Sequence, residues 1–183
     1  MRAARHAAAI GLLVIAAALL PGRGAAEEPP RLVDQLGRQF TLPDLERVPL
    51  VVTFVSAHCT DVCPIVNAMT ADAVQRVKRA RLHARFLTIT LDPERDSLAD
   101  LRALAHRFGA DPKRWIVAGG SRAHIHAVMR EFGIVANRGD RYIEAHTTMF
   151  YVLGTDGRLR STLLISSDVA DRIVTAVRAA QGV

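Results

Sequence analysis

Two cysteines stand with three residues between them in His58-Cys59-Thr60-Asp61-Val62-Cys63-Pro64, and no other cysteine occurs in the chain of 183 residues. Thiols so placed can exchange with a disulfide, close a disulfide of their own, or grip one metal ion as thiolates. Thiol–disulfide exchange motifs usually carry two intervening residues rather than three. Residues i and i+4 of a helix lie about 6 Å apart on one face, so a disulfide here requires Cys59 to sit in a loop ahead of the helix. Two sulfurs are too few for a closed structural zinc site. They suit a soft ion such as Cu(I), or a Cu(II) site completed by imidazole. A purely structural disulfide would close a very short loop and stabilise little on the loop-length argument; cysteine as buried filler is the remaining reading.

The flanking pattern says where such a pair would sit. Leu50 to Val55 is a continuous apolar, β-rich run, as in strands covered on both faces. From Pro64 the pattern turns helical, with Val66, Met69, Ala73 and Val77 on one face. Residues 84–91 form a second buried strand. Ser97 and Asp100 have the spacing of a capping box, ahead of the stripe Leu101, Leu104, Ala105 and Phe108, which Gly109 ends. Trp115 to Ala118 is a third strand. Ser121 caps a helix that turns Ile125, Val128, Met129 and Phe132 inward as far as Gly133. Residues 148–153 and 158–165 flank Asp156-Gly157, a strong hairpin signal. Asp168 is placed to cap a last helix carrying Val169, Ile173, Val177 and Ala180. Leu32 to Leu42, around Gly37, reads as a short N-terminal hairpin.

Strands separated by helices imply right-handed parallel crossovers. The expected fold is α/β and thioredoxin-like: a central mixed sheet flanked by helices, with an N-terminal hairpin and an inserted strand and helix. Both cysteines then fall at the carboxyl end of a central strand, where sites form in open sheets. The free N–H groups and positive dipole end of the following helix are expected to acidify the two thiols.

A third donor is sought among His58, His83, His106, His124, His126 and His146. His83 and His106 read as surface. His124 and His126, two apart on a helix, point in different directions. His58 adjoins Cys59 but tends to point the opposite way, which suits a modulator of the thiols better than a ligand. His146, in Glu144-Ala145-His146-Thr147-Thr148, precedes the strand whose leading loop packs against the cysteine turn in a thioredoxin-like fold. It is the preferred ligand; a histidine capping a strand end is the other reading.

Four segments in order resemble the Sco (SenC) family of copper chaperones: residues 54–64 (FVSAHCTDVCP), residues 90–96 (TLDPERD), Phe132-Gly133-Ile134, and His146-Thr147-Thr148 running to Asp156-Gly157. The family often has CPxxCP; here Thr60 replaces the first proline. The resemblance implies a thioredoxin-like fold, and metal ligands at Cys59, Cys63 and His146. It implies delivery of copper, as Cu(I) or Cu(II), to the dinuclear copper centre of cytochrome c oxidase, with the oxidase's copper-bearing subunit as partner and another copper chaperone as a candidate donor. The alternative role is a thiol–disulfide oxidoreductase that reduces the cysteines of that centre, in which case Cys59 and Cys63 form the redox pair. Asp92 matches the family's acidic residue near the site, placed to orient a ligand or accept a proton; an Asp-Pro turn is its plainer reading.

Composition bounds the rest. Half the residues are apolar and 23% charged, which excludes a mainly disordered chain or a coiled coil. Arg2 and Arg5 precede a 14-residue run, Ala7 to Leu20, without polar side chains; Pro21 and Gly22 break it, and Gly24-Ala25-Ala26 offers small residues. This is the pattern of a secretory signal, and the run is short of the roughly 20 residues of a membrane span. Residues 1–26 are expected to be that signal, cleaved or kept as an anchor, residues 27–30 a linker, and residues 31–183 the folded domain. The location expected is periplasmic, soluble or held at the inner membrane. Setting aside Arg2, Arg5 and Arg23 lowers the net charge from +6 to +3, too small to argue for nucleic acid. The basic run from Arg76 to Arg85 reads as a solvated helix face.

Overall fold

In the computed structural model, residues 28–134, 137–138, 143–145 and 148–182 are described. The expected signal, residues 1–26, lies outside them. β1 (Leu32–Asp34) and β2 (Gln39–Phe40) form the N-terminal hairpin, followed by a 3-10 turn, Leu42–Leu45. Then come β3 (Leu50–Val55), α1 (Val62–Arg79), β4 (Arg85–Thr90), α2 (Leu98–Phe108), β5 (Trp115–Gly120) and α3 (Arg122–Glu131). Two short strands, β6 (Asn137–Arg138) and β7 (Ile143–Ala145), precede β8 (Met149–Leu153), β9 (Leu159–Leu164) and α4 (Val169–Gln181).

Seven strands form one sheet in the order β2-β1-β5-β4-β3-β8-β9. β3, β4 and β5 run parallel, with Leu50 opposite Arg85 and Phe86 opposite Trp115; β1, β8 and β9 join antiparallel. β6 and β7 pair apart from this sheet, an element the sequence reading left unassigned because strands of two and three residues carry no measurable period.

Alternation along β3 explains the two cores. Val51 and Val55 point to one face, with Cys63, Val66 and Val77 of α1, Leu101 and Leu104 of α2, and Ile173 and Val177 of α4. Leu50, Val52 and Phe54 point to the other, with Ile125, Val128 and Met129 of α3. All six residues of β3 are buried, Thr53 with its hydroxyl donating to the Met149 carbonyl at 3.0 Å.

Local chemistry ends the helices as expected in most places. Ser97 accepts the Asp100 N–H, and Asp100 accepts the Ser97 N–H at 2.9 Å. Gly109 closes α2 at φ +66, a left-handed conformation glycine adopts without a Cβ clash. Ser121 accepts the His124 N–H at 3.3 Å. Asp168 occupies the cap position of α4, but its carboxylate takes the Ser166 hydroxyl instead of a helix N–H. α1 begins at Val62, two residues earlier than the proline suggested.

Candidate metal and redox site

The parallel strands β3 and β4 end on the same side of the sheet, and the site is built on the loops that follow them. After Val55 the chain turns at Ser56, whose carbonyl accepts the Cys59 N–H at 3.3 Å. Cys59 is half-buried in this turn, ahead of the helix, and Cys63 lies in the first turn of α1, only 2% exposed. Both thiols are free, and Cys59 lies near enough to act on the Cys63 thiol. The arrangement is the one that i, i+4 cysteines need in order to meet, with one in the loop and one in the helix.

The expected acidification of both thiols fails at Cys63. Burial pushes its pKa up to about 12, and the neighbouring Cys59 and the Asp96 carboxylate push the same way. A backbone hydrogen bond from Ser56 opposes this but is outweighed. Desolvation disfavours the thiolate more strongly than the helix N-terminus favours it. Cys63 is therefore a neutral thiol at neutral pH when no metal is bound.

The second loop, residues 91–97, carries the acidic motif. Asp92 is 1% exposed, and its carbonyl accepts the Arg95 and Asp96 N–H groups at 3.0 and 2.8 Å. Arg95 Nη1 stands 3.6 Å from Asp92 Oδ2. That turn carries Asp96 back toward the cysteine loop. Asp96 accepts the Ala57 N–H at 3.0 Å, the Thr90 hydroxyl at 2.5 Å and the Ser56 hydroxyl at 3.4 Å. It also accepts from His58 Nδ1 at 2.8 Å. A carboxylate only accepts, so this contact places the proton of the neutral ring on Nδ1. Asp92 connects to the same network through its backbone, whose N–H donates to Thr90 Oγ1 at 3.0 Å.

Of the sequence-derived candidates, Cys59 and Cys63 come together and Asp92 lies in the adjoining loop. His146 lies outside the described residues. His58 is turned onto Asp96. His83 and His106 are exposed, as expected, and His124 bonds the Arg31 carbonyl through Nδ1 at 3.0 Å. Among the described residues no three His, Cys, Asp or Glu side chains are grouped to hold a metal. A groove of about 850 Å³, lined by Leu42, Leu50, Phe132 and Leu153, lies at the other end of the sheet and includes neither cysteine. Sequence reasoning missed Asp96. Its only signal was its position in the same DPERD segment, four residues after Asp92, where one turn of chain brings it round.

A mixed sheet covered by helices on both faces, with two thiols at the first parallel strand-to-helix turn, defines a thioredoxin-like protein. Residues 21–181 match the SCO1/SenC family, and the chain belongs to it. It is 23% identical over 157 residues to the SCO1 protein homolog of Bacillus subtilis, covering 84% of this chain and 81% of that one. It spans only 57% and 56% of the mitochondrial SCO2 homologs of Danio rerio and Bos taurus that it also matches. The crystal structure of Arabidopsis thaliana ScoI with copper bound superposes at a TM-score of 0.74, with 23% identity over 82% of this chain and 97% of that one. BsSco, described through a disulfide switch as a member of the Sco family of cytochrome c oxidase assembly proteins, superposes at 0.74 with 23% identity, over 85% and 93% of the two chains. Among the described residues no helix is long and apolar enough to cross a membrane.

Proposed function

We propose that this chain is an exported copper chaperone that delivers copper to the dinuclear centre of cytochrome c oxidase. The observation that carries the reading is the pair of neighbouring free thiols at the carboxyl end of β3, in a member of a family whose solved structures include copper-bound proteins. Cys59 and Cys63 supply two soft sulfur donors, and His146 the imidazole. The domain is residues 31–183, reached through a linker at 27–30 from a signal at 1–26, and it works in the periplasm.

Two sulfurs and one imidazole leave the cargo ion under-coordinated, so a cysteine or histidine on the oxidase's copper-bearing subunit can displace them one at a time. Taking up copper requires Cys63 to surrender its proton. Oxidation of the pair to a disulfide removes both sulfur donors together, so the redox state of the thiols gates binding. Asp92, in the adjoining loop, is the residue that orients a ligand in this reading.

Anaerobic loading with Cu(I) and Cu(II) tests this in the wild type and in Cys59→Ala, Cys63→Ala and His146→Ala. The reading expects each cysteine variant to lose tight binding, and His146→Ala to weaken Cu(II) more than Cu(I). A second reading, a thiol–disulfide reductase acting on the oxidase's copper-site cysteines, is favoured by the same free, neighbouring thiols. It does not need His146, so a His146→Ala protein with full activity in oxidase assembly would select it.

A further inference from the structure

Between the end of β3 and Cys59 lie only three residues, Ser56, Ala57 and His58, and each of them donates to one carboxylate. Asp96 has no exposed side-chain surface. Its Oδ1 receives the His58 ring N–H at 2.8 Å and the Ser56 hydroxyl at 3.4 Å; its Oδ2 receives the Ala57 N–H at 3.0 Å and the Thr90 hydroxyl at 2.5 Å. The Ser56 hydroxyl in turn accepts the His58 N–H at 3.2 Å. The cysteine loop is thus tied to the end of β4 by one acid from the neighbouring loop.

We propose that Asp96 is the positioning residue for copper exchange, holding the Ser56–His58 turn so that the Cys59 sulfur stands against Cys63. This rests on the copper reading above. A carboxylate offers about four lone-pair sites, whereas an asparagine side chain offers one oxygen and two donors. In Asp96→Asn the amide NH₂ takes one side, so the groups it meets must accept: on the Oδ1 side His58 must move its ring proton to Nε2 and Ser56 must turn its hydroxyl. The bonds that hold the turn lose their charge assistance and are roughly halved in strength. The turn, and Cys59 at its end, is then held less firmly. Outer partners that orient metal ligands are typically worth 10–100-fold in affinity.

The test compares Asp96→Asn and Thr90→Val with a control elsewhere, Asp34→Asn. Asp34 is also buried, and it accepts from the Leu36 and Arg38 N–H groups and Arg38 Nε in the β1–β2 turn. Three readouts are taken on the full folded domain: the urea midpoint, Cu(I) affinity by chelator competition, and the equilibrium with glutathione. In that equilibrium the reduced pair and oxidised glutathione give the Cys59–Cys63 disulfide and two reduced glutathiones. Asp96→Asn is expected to weaken Cu(I) binding 10–100-fold and to make the disulfide at least tenfold harder to form. Asp34→Asn should lower the urea midpoint while leaving copper and disulfide values within twofold. A folded Asp96→Asn within twofold of wild type on both thiol readouts overturns the proposal. So does equal weakening by Asp34→Asn. Should the wild type bind no copper, the copper reading falls, and the glutathione equilibrium alone decides the role of Asp96. Should Asp96→Asn fail to fold, Thr90→Val, which deletes one donor and keeps the shape, is judged by the same twofold criterion.

Discussion

Lowering the pH should weaken copper binding steeply, and the Cys63 environment sets the least slope it can have. The metal-free Cys63 thiol is pushed up to about 12 by burial, by Cys59 and by Asp96. Throughout pH 6–8 it therefore carries its proton. Thiolate is the ligating form, so each copper bound expels that proton. One proton released on binding makes the apparent affinity tenfold stronger per pH unit, or about a hundredfold between pH 6 and 8. Any proton released from a second ligand adds to this. The assay is competition for Cu(I) against a chelator of known protonation behaviour, run anaerobically at half-unit steps. A logarithmic slope of at least one is expected. A slope below about one half over that range would refute the reasoning, because it would mean that Cys63 is already a thiolate in the apo-protein or is not a ligand.

The same thiol makes the apo-fold sensitive to alkali. Its folded pKa lies above the ordinary thiol value of 9.0, so its contribution to stability is complete below pH 9 and is lost as pH rises toward 12, at about 1.4 kcal/mol per pH unit. The difference in urea midpoints between wild type and Cys63→Ala should narrow across that window and stay constant below it. Asn67, fully buried one turn beyond Cys63, donates to the Cys63 carbonyl at 2.9 Å, and its Oδ1 has no partner among the described residues. Asn67→Leu should raise stability by about 1 kcal/mol by removing that orphan acceptor; a loss of similar size in chemical denaturation would show that Oδ1 has a partner.

The parts of this fold legible in the sequence are those fixed by short-range chemistry. The run Leu50–Val55, apolar but for Thr53, forms the strand covered twice that its composition suits, Ser97 with Asp100 starts a helix as their spacing suits, and Asp156-Gly157 turned where expected, with Gly157 at φ +72. The thiol pair was legible for the same reason, because its spacing and the strand before it are local. Two things were not. The helix N-terminus beside Cys63 was visible in the pattern, but the burial that overrides it depends on a core that gathers Cys63 with residues as distant as Phe150 and Ile173. Three of the four bonds that Asp96 accepts come from 38 to 40 residues away in sequence. Nothing in its own segment marks it apart from Asp92.

The most direct measurement is anaerobic Cu(I) titration of the domain with metal content determined after desalting, wild type beside Cys63→Ala. The account predicts one copper retained per wild-type chain and essentially none by the variant. Equal retention by the two proteins would contradict it.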